Sequence, residues 1–235
     1  MTDRVYELLK TRVITLELGP GTRLNADRLA AELDVSPTPV REALNRLSAE
    51  GMVTVAPYRG FRVSELLSHQ DLVLLLQARL VIEQAAVAQA AAVRDKATME
   101  HLTALVARMD ELSSAEPLDV KAFNAADASF HRLTVAASGN RFLLQAFDSL
   151  HVHVQIARHY QGRSVAEGRR ANEEHARLLA ALSSGDGEAA SREAGAHIDG
   201  VLSRLEVILA ARAGADGSAS GGARAGGPTS EGAAV

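Results

Sequence analysis

The chain has 235 residues, 47% hydrophobic but only 3% aromatic, with a net charge of −4 and no cysteine. Those figures exclude disulfides, thiolate metal sites and cysteine nucleophiles, and no apolar run reaches the ~20 residues that a bilayer span needs. They leave room for two modest domains whose cores are mostly Ala, Leu and Val, a composition that favours close-packed helices. The opening MTDRVYELLK mixes acidic and basic residues as a helix start does and a signal peptide does not, so a cytoplasmic chain with no membrane partner is expected.

Residues 3–18 are predicted to form a first helix, with Val5, Leu8, Leu9, Val13 and Leu16 at helical spacing and Gly19-Pro20-Gly21 as its stop. Asn25 is the expected N-cap of a second helix carrying Leu29, Ala30 and Leu33 on its apolar face. A third runs from near Ser36 to Glu50, with Pro37 and Pro39 tolerated in its first turn and Gly51 after its end. The period then changes. Met52–Val55, a turn over 56–60 and Phe61–Val63 predict a short β-hairpin. Three helices and a hairpin over residues 1–66 make a winged helix-turn-helix. Residues 1–64 hold nine basic and eight acidic side chains, a balance of +1 that leaves −5 for the rest. Charge alone therefore marks no nucleic-acid domain here, and permits one only if the arginines gather on one surface.

Beyond residue 68 the strand signals stop. Helices are predicted at about 69–93, 96–113, 117–137, 140–160, 166–183 and 187–212, an all-α bundle over 69–212. From Ala213 the chain turns to Gly, Ala and Ser, and the 213–235 tail is expected to be disordered. The fold class is thus mainly α, a winged head followed by a helical bundle.

In the third helix Val40, Leu44 and Leu47, with Val35 ahead of them, pack inward, which turns Ser36, Thr38, Arg41 and Asn45 outward near its N-terminus. That is where a recognition helix meets base edges and phosphates. Arg59 and Gly60 stand at the hairpin tip, within reach of an adjacent groove or backbone. Read singly, Arg41 and Glu42 fit a solvated helix face equally well, and Arg59 a turn residue. In the bundle, Asp127 and His131 are four apart and share a helical face, while His175 and His197 lie on the last two helices. Three imidazoles and a carboxylate suit a borderline divalent metal such as Zn²⁺ or Ni²⁺. The spacing is also that of an ordinary Asp–His surface hydrogen bond.

Val35–Leu47, with Glu50-Gly51 and Arg59-Gly60, resembles the GntR family of bacterial regulators, whose pattern is Ser-Arg-x-Pro-Val-Arg-Glu-Ala-Leu followed by a wing ending in Arg-Gly. The resemblance implies that Ser36, Thr38, Arg41, Arg59 and Gly60 touch DNA. Two positions depart from the pattern. Pro37 stands where the family usually has a base-reading Arg, so a different operator sequence or affinity is expected, and Asp34 stands where Gly is usual in the turn, which Asp tolerates at modest cost. Asp127–His131, Ala137–Asn140, Glu174-His175 and the His in the last helix resemble the FCD ligand-binding domain of the FadR-type branch. That resemblance implies Asp127, His131, His175 and His197 as metal ligands. Arg79–Glu83 matches the family's Arg-x-x-x-Glu, which implies that Arg79 binds an effector carboxylate, against the alternative of a salt bridge to Glu83. Six helices resemble the VanR-like subgroup more than the seven-helix FadR-like one.

The expected function is a regulator, in the repressing sense. A homodimer would hold a palindromic operator in double-stranded DNA and release it when a small carboxylate metabolite enters the metal site. The competing class is a metal-dependent hydrolase or decarboxylase with an attached DNA-binding module, since open metal positions also serve catalysis. No HExxH and no positioned nucleophile support that alternative. A purely structural metal site is the third reading.

Overall fold

The computed structural model describes residues 1–56, 60–161 and 164–220, and the side chains of these except at 56, 157–161 and 205–220. The first element, α1 (Thr2–Ile14), lies against α3 (Pro37–Ala49), and α2 (Ala26–Glu32) joins them. Asn25 caps α2 by accepting from the Arg28 backbone N–H at 2.9 Å. Asp34, in the tight turn between α2 and α3, has φ +52°, the left-handed conformation that Asp tolerates. Behind these helices β1 (Arg23–Leu24), β2 (Val53–Ala56) and β3 (Gly60–Val63) form an antiparallel sheet in the order β1-β3-β2, with Val53 opposite Val63 and Leu24 opposite Phe61. Val5, Leu9, Val13, Leu29, Val40, Leu44, Leu47 and Val63 are buried together, as the periodicity requires.

The predicted first helix is too long. Its α-helical turns stop at Ile14, and Leu16 takes φ +61°, so residues 15–18 turn toward the sheet. The strand β1 was not expected at all, because two residues are too few for an alternating pattern to register.

The second half comprises α4 (His69–Val93), α5 (Lys96–Ser114), α6 (Val120–Ala136), α7 (Arg141–Gln161), α8 (Val165–Ser184) and α9 (Gly187–Ser220). In this half α4 packs on α6, α7, α8 and α9. A helix surrounded in this way must be apolar on most of its faces, and α4 is, with Arg79 and Glu83 as its buried charges. Alanines at 86, 90, 91, 181, 190 and 194 are buried and allow close helix approach. A Cβ on Gly187 would lie 3.0 Å from the Ala88 carbonyl oxygen, so any larger residue would push α9 back from α4 by a few tenths of an ångström. The last helix runs past the expected end at 212 to Ser220. The remainder of the 213–235 tail lies outside the described residues.

One helix joins the two halves by packing. Val152 of α7 is buried within the apolar cluster of the winged head, and Ile156 packs against the same cluster. Next to it His153 meets the turn after α3. Gly51 there has φ +76°, and a Cβ on it would stand 3.3 Å from the His153 ring. Burial pushes the His153 imidazole below its ordinary pKa, partly offset by a hydrogen bond with the Glu50 backbone. A histidine whose folded pKa is depressed leaves the unfolded chain holding more protons, so its contribution is intact above the unfolded pKa of ~6.5 and declines as pH falls below it. His153→Gln is therefore expected to gain stability relative to the parent chain between pH 7.5 and pH 5.5. Urea midpoints at the two pH values measure this, and an unchanged difference between variant and parent would refute it.

Candidate functional site

The first candidate surface is the outer face of α3. Its inner face, Val40, Ala43, Leu44 and Leu47, is buried, so Thr38, Arg41 and Asn45 on the opposite side are exposed. Ser36 occupies the N-cap position, exposed and without a side-chain cap bond. Arg41 bonds Asp27 of α2 at 3.1 Å, a solvent-exposed pair of little net worth that a phosphate or base edge can displace. Gly60 is exposed at the start of β3 with open space around it. Arg59 lies outside the described residues.

The second candidate is inside the helical half. One donor nitrogen from each of His131 (α6), His175 (α8) and His197 (α9) lies within 4.8 Å of the others, and all three residues are buried. The His131 and His175 Nε2 atoms are 3.2 Å apart. That is close to the edge, roughly 3.3 Å, of a tetrahedron with metal–nitrogen bonds of about 2.0–2.1 Å. Asp127 joins them, its Oδ1 3.7 Å from His175 Nε2 and its Oδ2 3.8 Å from His131 Nε2. The i, i+4 pair of α6 thus faces inward, and the alternative of a surface hydrogen bond does not hold.

Two further carboxylates orient the imidazoles. His131 Nδ1–H donates to Glu83 Oε2 at 2.9 Å, and His197 Nδ1–H donates to Glu174 Oε2 at 2.8 Å. Each bond fixes the tautomer and turns Nε2 toward the cluster, as carboxylates do behind metal-bound histidines. Burial alone would raise the pKa of Glu83, but the Arg79 guanidinium and His131 outweigh it and hold it well below the carboxylate range. Burial likewise acts against Glu174, and the hydrogen bonds from His197 and Arg204 bring it down to about 2. The Arg204 bonds measure 2.7 and 3.0 Å. The donor set, the spacing and the fixed tautomers all fit a divalent metal ion.

Arg79 of α4 donates through Nε to Glu83, so the ion-pair alternative is realised, yet Nη1 and Nη2 are left over. His151 of α7, which sequence spacing did not single out, is 3% exposed with its ring centroid 6.3 Å from that of His131. Burial and the nearby Arg79 charge push its pKa well below the ordinary value. His69 and His101 are exposed and away from the cluster, and the side chain of His159 lies outside those described.

A winged helix-turn-helix resting on an all-helical domain with a buried cluster of histidines defines a two-domain DNA-binding regulator. Residues 1–63 match the bacterial regulatory proteins of the gntR family, and residues 74–200 match the FCD domain. The chain belongs to the FCD-domain branch of the GntR family, whose members are transcriptional regulators and not enzymes. It is 30% identical over 202 residues to the "Probable D-xylose utilization operon transcriptional repressor" of Paenarthrobacter nicotinovorans, spanning 86% of this chain and 87% of that one. It is 32% identical over 191 residues to the HTH-type transcriptional regulator McbR of Escherichia coli, spanning 80% and 85% respectively. The solved structure of E. coli McbR/YncC superposes with a TM-score of 0.78 at 27% identity, covering 88% of this chain and 98% of that one. Among the described residues no helix is long and apolar enough to cross a membrane.

Proposed function

We propose that this regulator is a metal-dependent repressor whose α3 reads operator DNA and whose helical domain binds a small carboxylate. The observation that carries this reading is the buried trihistidine cluster with Asp127 beside it and carboxylates behind two of its rings. Asp127, His131, His175 and His197 would hold the ion, and nitrogen donors with one carboxylate suit Zn²⁺ or Ni²⁺. Such an ion supplies Lewis acidity toward an incoming carboxylate oxygen. Arg79, through its two outer nitrogens, would take a carboxylate in the fork geometry that arginine favours. Six helices among the described residues of the sensor half support the VanR-like subgroup. Bacterial operator binding implies a cytoplasmic protein.

A palindromic operator calls for a homodimer. The outer side of α4 is suited to a second copy, since Leu74 is 54% and Val81 69% exposed, and the exposed Ala78 and Ala85 continue the same uncharged stripe. Ser36, Thr38, Arg41, Arg59 and Gly60 are the proposed DNA contacts. Arg41→Ala should lose about 1–3 kcal/mol of discrimination between operator and scrambled DNA, roughly five- to 150-fold, while the fold persists because Arg41 is exposed. Fluorescence titration on both duplexes measures it, and unchanged discrimination would mean that α3 is not the reader. Sedimentation of the same samples addresses assembly, and a monomer at micromolar concentration with full operator affinity would remove the dimer.

A further inference from the structure

Among the buried polar side chains with bonding capacity that nothing meets, Arg79 and His151 stand together near the histidine cluster. Arg79 is fully buried, and with Nε committed to Glu83 its Nη1 and Nη2 have no partner. His151 is buried as deeply, and neither its Nδ1 nor its Nε2 has one. Buried polar groups in folded proteins are nearly always satisfied, so an exception asks what else occupies the space. Two adjacent exceptions ask it more strongly. Both groups flank one ring: the Arg79 guanidinium carbon is 5.5 Å from the centroid of Phe147, and the His151 ring stacks on Phe147 at 4.6 Å and 22°. Arg79 and His151 come from α4 and α7, whereas the three clustered histidines come from α6, α8 and α9. They therefore form a separate polar wall next to the cluster.

We infer that Arg79 and His151 together form a second recognition point for the effector, and that His151 selects acids bearing a further oxygen function. Hydroxy acids and short dicarboxylates are the class implied. The inference rests on the reading that the trihistidine cluster holds a metal at which the effector binds. A guanidinium only donates, so Arg79 reads a carboxylate and nothing that must itself donate. An imidazole with both nitrogens available offers a donor and an acceptor, so His151 can bond either a second carboxylate or a hydroxyl. A simple monocarboxylate would leave His151 as unsatisfied as it is now. Sites built to hydrogen-bond a substrate group discriminate strongly against the analogue that lacks it.

The position of His151 also gives its occupancy a consequence. The next residue, Val152, is buried in the apolar cluster of the winged head, and His153 abuts Gly51 at the end of α3. A ligand that bonds His151 therefore acts on the helix that seats the DNA-reading head, and any preference for one position of α7 becomes a preference for one position of the head.

The test is calorimetric titration of the Zn²⁺-loaded full chain with acetate, succinate and malate, repeated on His151→Leu and His151→Asn. The parent chain should bind malate and succinate at least tenfold more tightly than acetate, the worth of one satisfied buried hydrogen bond. His151→Leu should lose that preference, and His151→Asn, which keeps a donor and an acceptor, should recover part of it. Nitrogen-15 resonances of the His151 ring in the parent chain should move with malate and not with acetate, a readout that needs no variant to fold. Equal binding of the three acids, binding of none of them to the Zn²⁺-loaded chain, or a preference retained in His151→Leu would each overturn the inference. Failure of Zn²⁺ itself to bind the parent chain would remove the metal reading beneath it, and the inference with it.

Discussion

Zinc at a hundredfold excess over its dissociation constant should raise the melting temperature of the parent chain by about 5–10 °C and leave that of His131→Ala unmoved. The magnitude follows from linkage. Ligand binding at that excess contributes about 2.7 kcal/mol, and a chain of this size gains roughly 2–4 °C per kcal/mol. His131, His175 and His197 stand on α6, α8 and α9, so an ion held by all three adds a link among these helices to their packing and to the Glu174 bonds between α8 and α9. Loss of one imidazole leaves two imidazoles and Asp127, which lowers the affinity so far that the same zinc concentration no longer saturates the site. His175→Ala and His197→Ala should behave alike, while the exposed His69→Ala keeps the full shift. Metal content per chain after dialysis checks the same point without melting anything. Stoichiometric zinc in His131→Ala would show that the ligand assignment is wrong.

Replacing Glu83 by leucine should cost about 3–5 kcal/mol of folding stability, although Glu83 ligates nothing. Its carboxylate sits between the Arg79 guanidinium and the His131 ring, with Arg79 fully buried. Removing it leaves a buried cation without its counter-charge, the situation in which breaking an ion pair is most damaging. Set against a typical total of about 5–15 kcal/mol, such a loss would leave the sensor half marginal. The double variant Arg79→Met/Glu83→Leu should recover most of it, because two apolar side chains in place of a buried pair are often neutral. Urea unfolding of the two single variants and the double variant measures the coupling. Zinc affinity should also fall by about 10- to 100-fold in Glu83→Gln, since His131 loses the partner that fixes its tautomer. Glu83→Leu as stable as the parent chain would mean that Arg79 finds another anion.

The long helices were legible because their signals are local. The boundaries of α4 at His69 and Val93 follow from the capping Ser68 and from the end of an apolar run, and both are decided within a few residues of sequence. Asp127 and His131 were legible for the same reason, being one helical turn apart. What sequence spacing cannot express is which helix faces which. Glu83 and Glu174 serve His131 and His197 from 48 and 23 residues away, so the orienting carboxylates of the cluster had no local signature. His151 sits in a helix whose periodicity permits it to face the cluster, yet only the packing of α7 on α4 and α6 turns it there. The break after Ile14 was missed because Leu16 continues the helical spacing while its backbone has already left it.

Val152 carries a consequence for biosynthesis. The winged head leaves the ribosome ahead of the helical half, and its own helices and strands are complete by Val63. Its apolar cluster is not, because Val152 and Ile156 close it from α7. For as long as the intervening residues are being translated, the nascent head carries an apolar seat open to water, and its last contacts are among the most non-local in the molecule. Non-local closure is slow, and surface left open meanwhile is a site for misassembly. The same seat limits domain grafting, since a head moved onto another sensor arrives without the two side chains that close it.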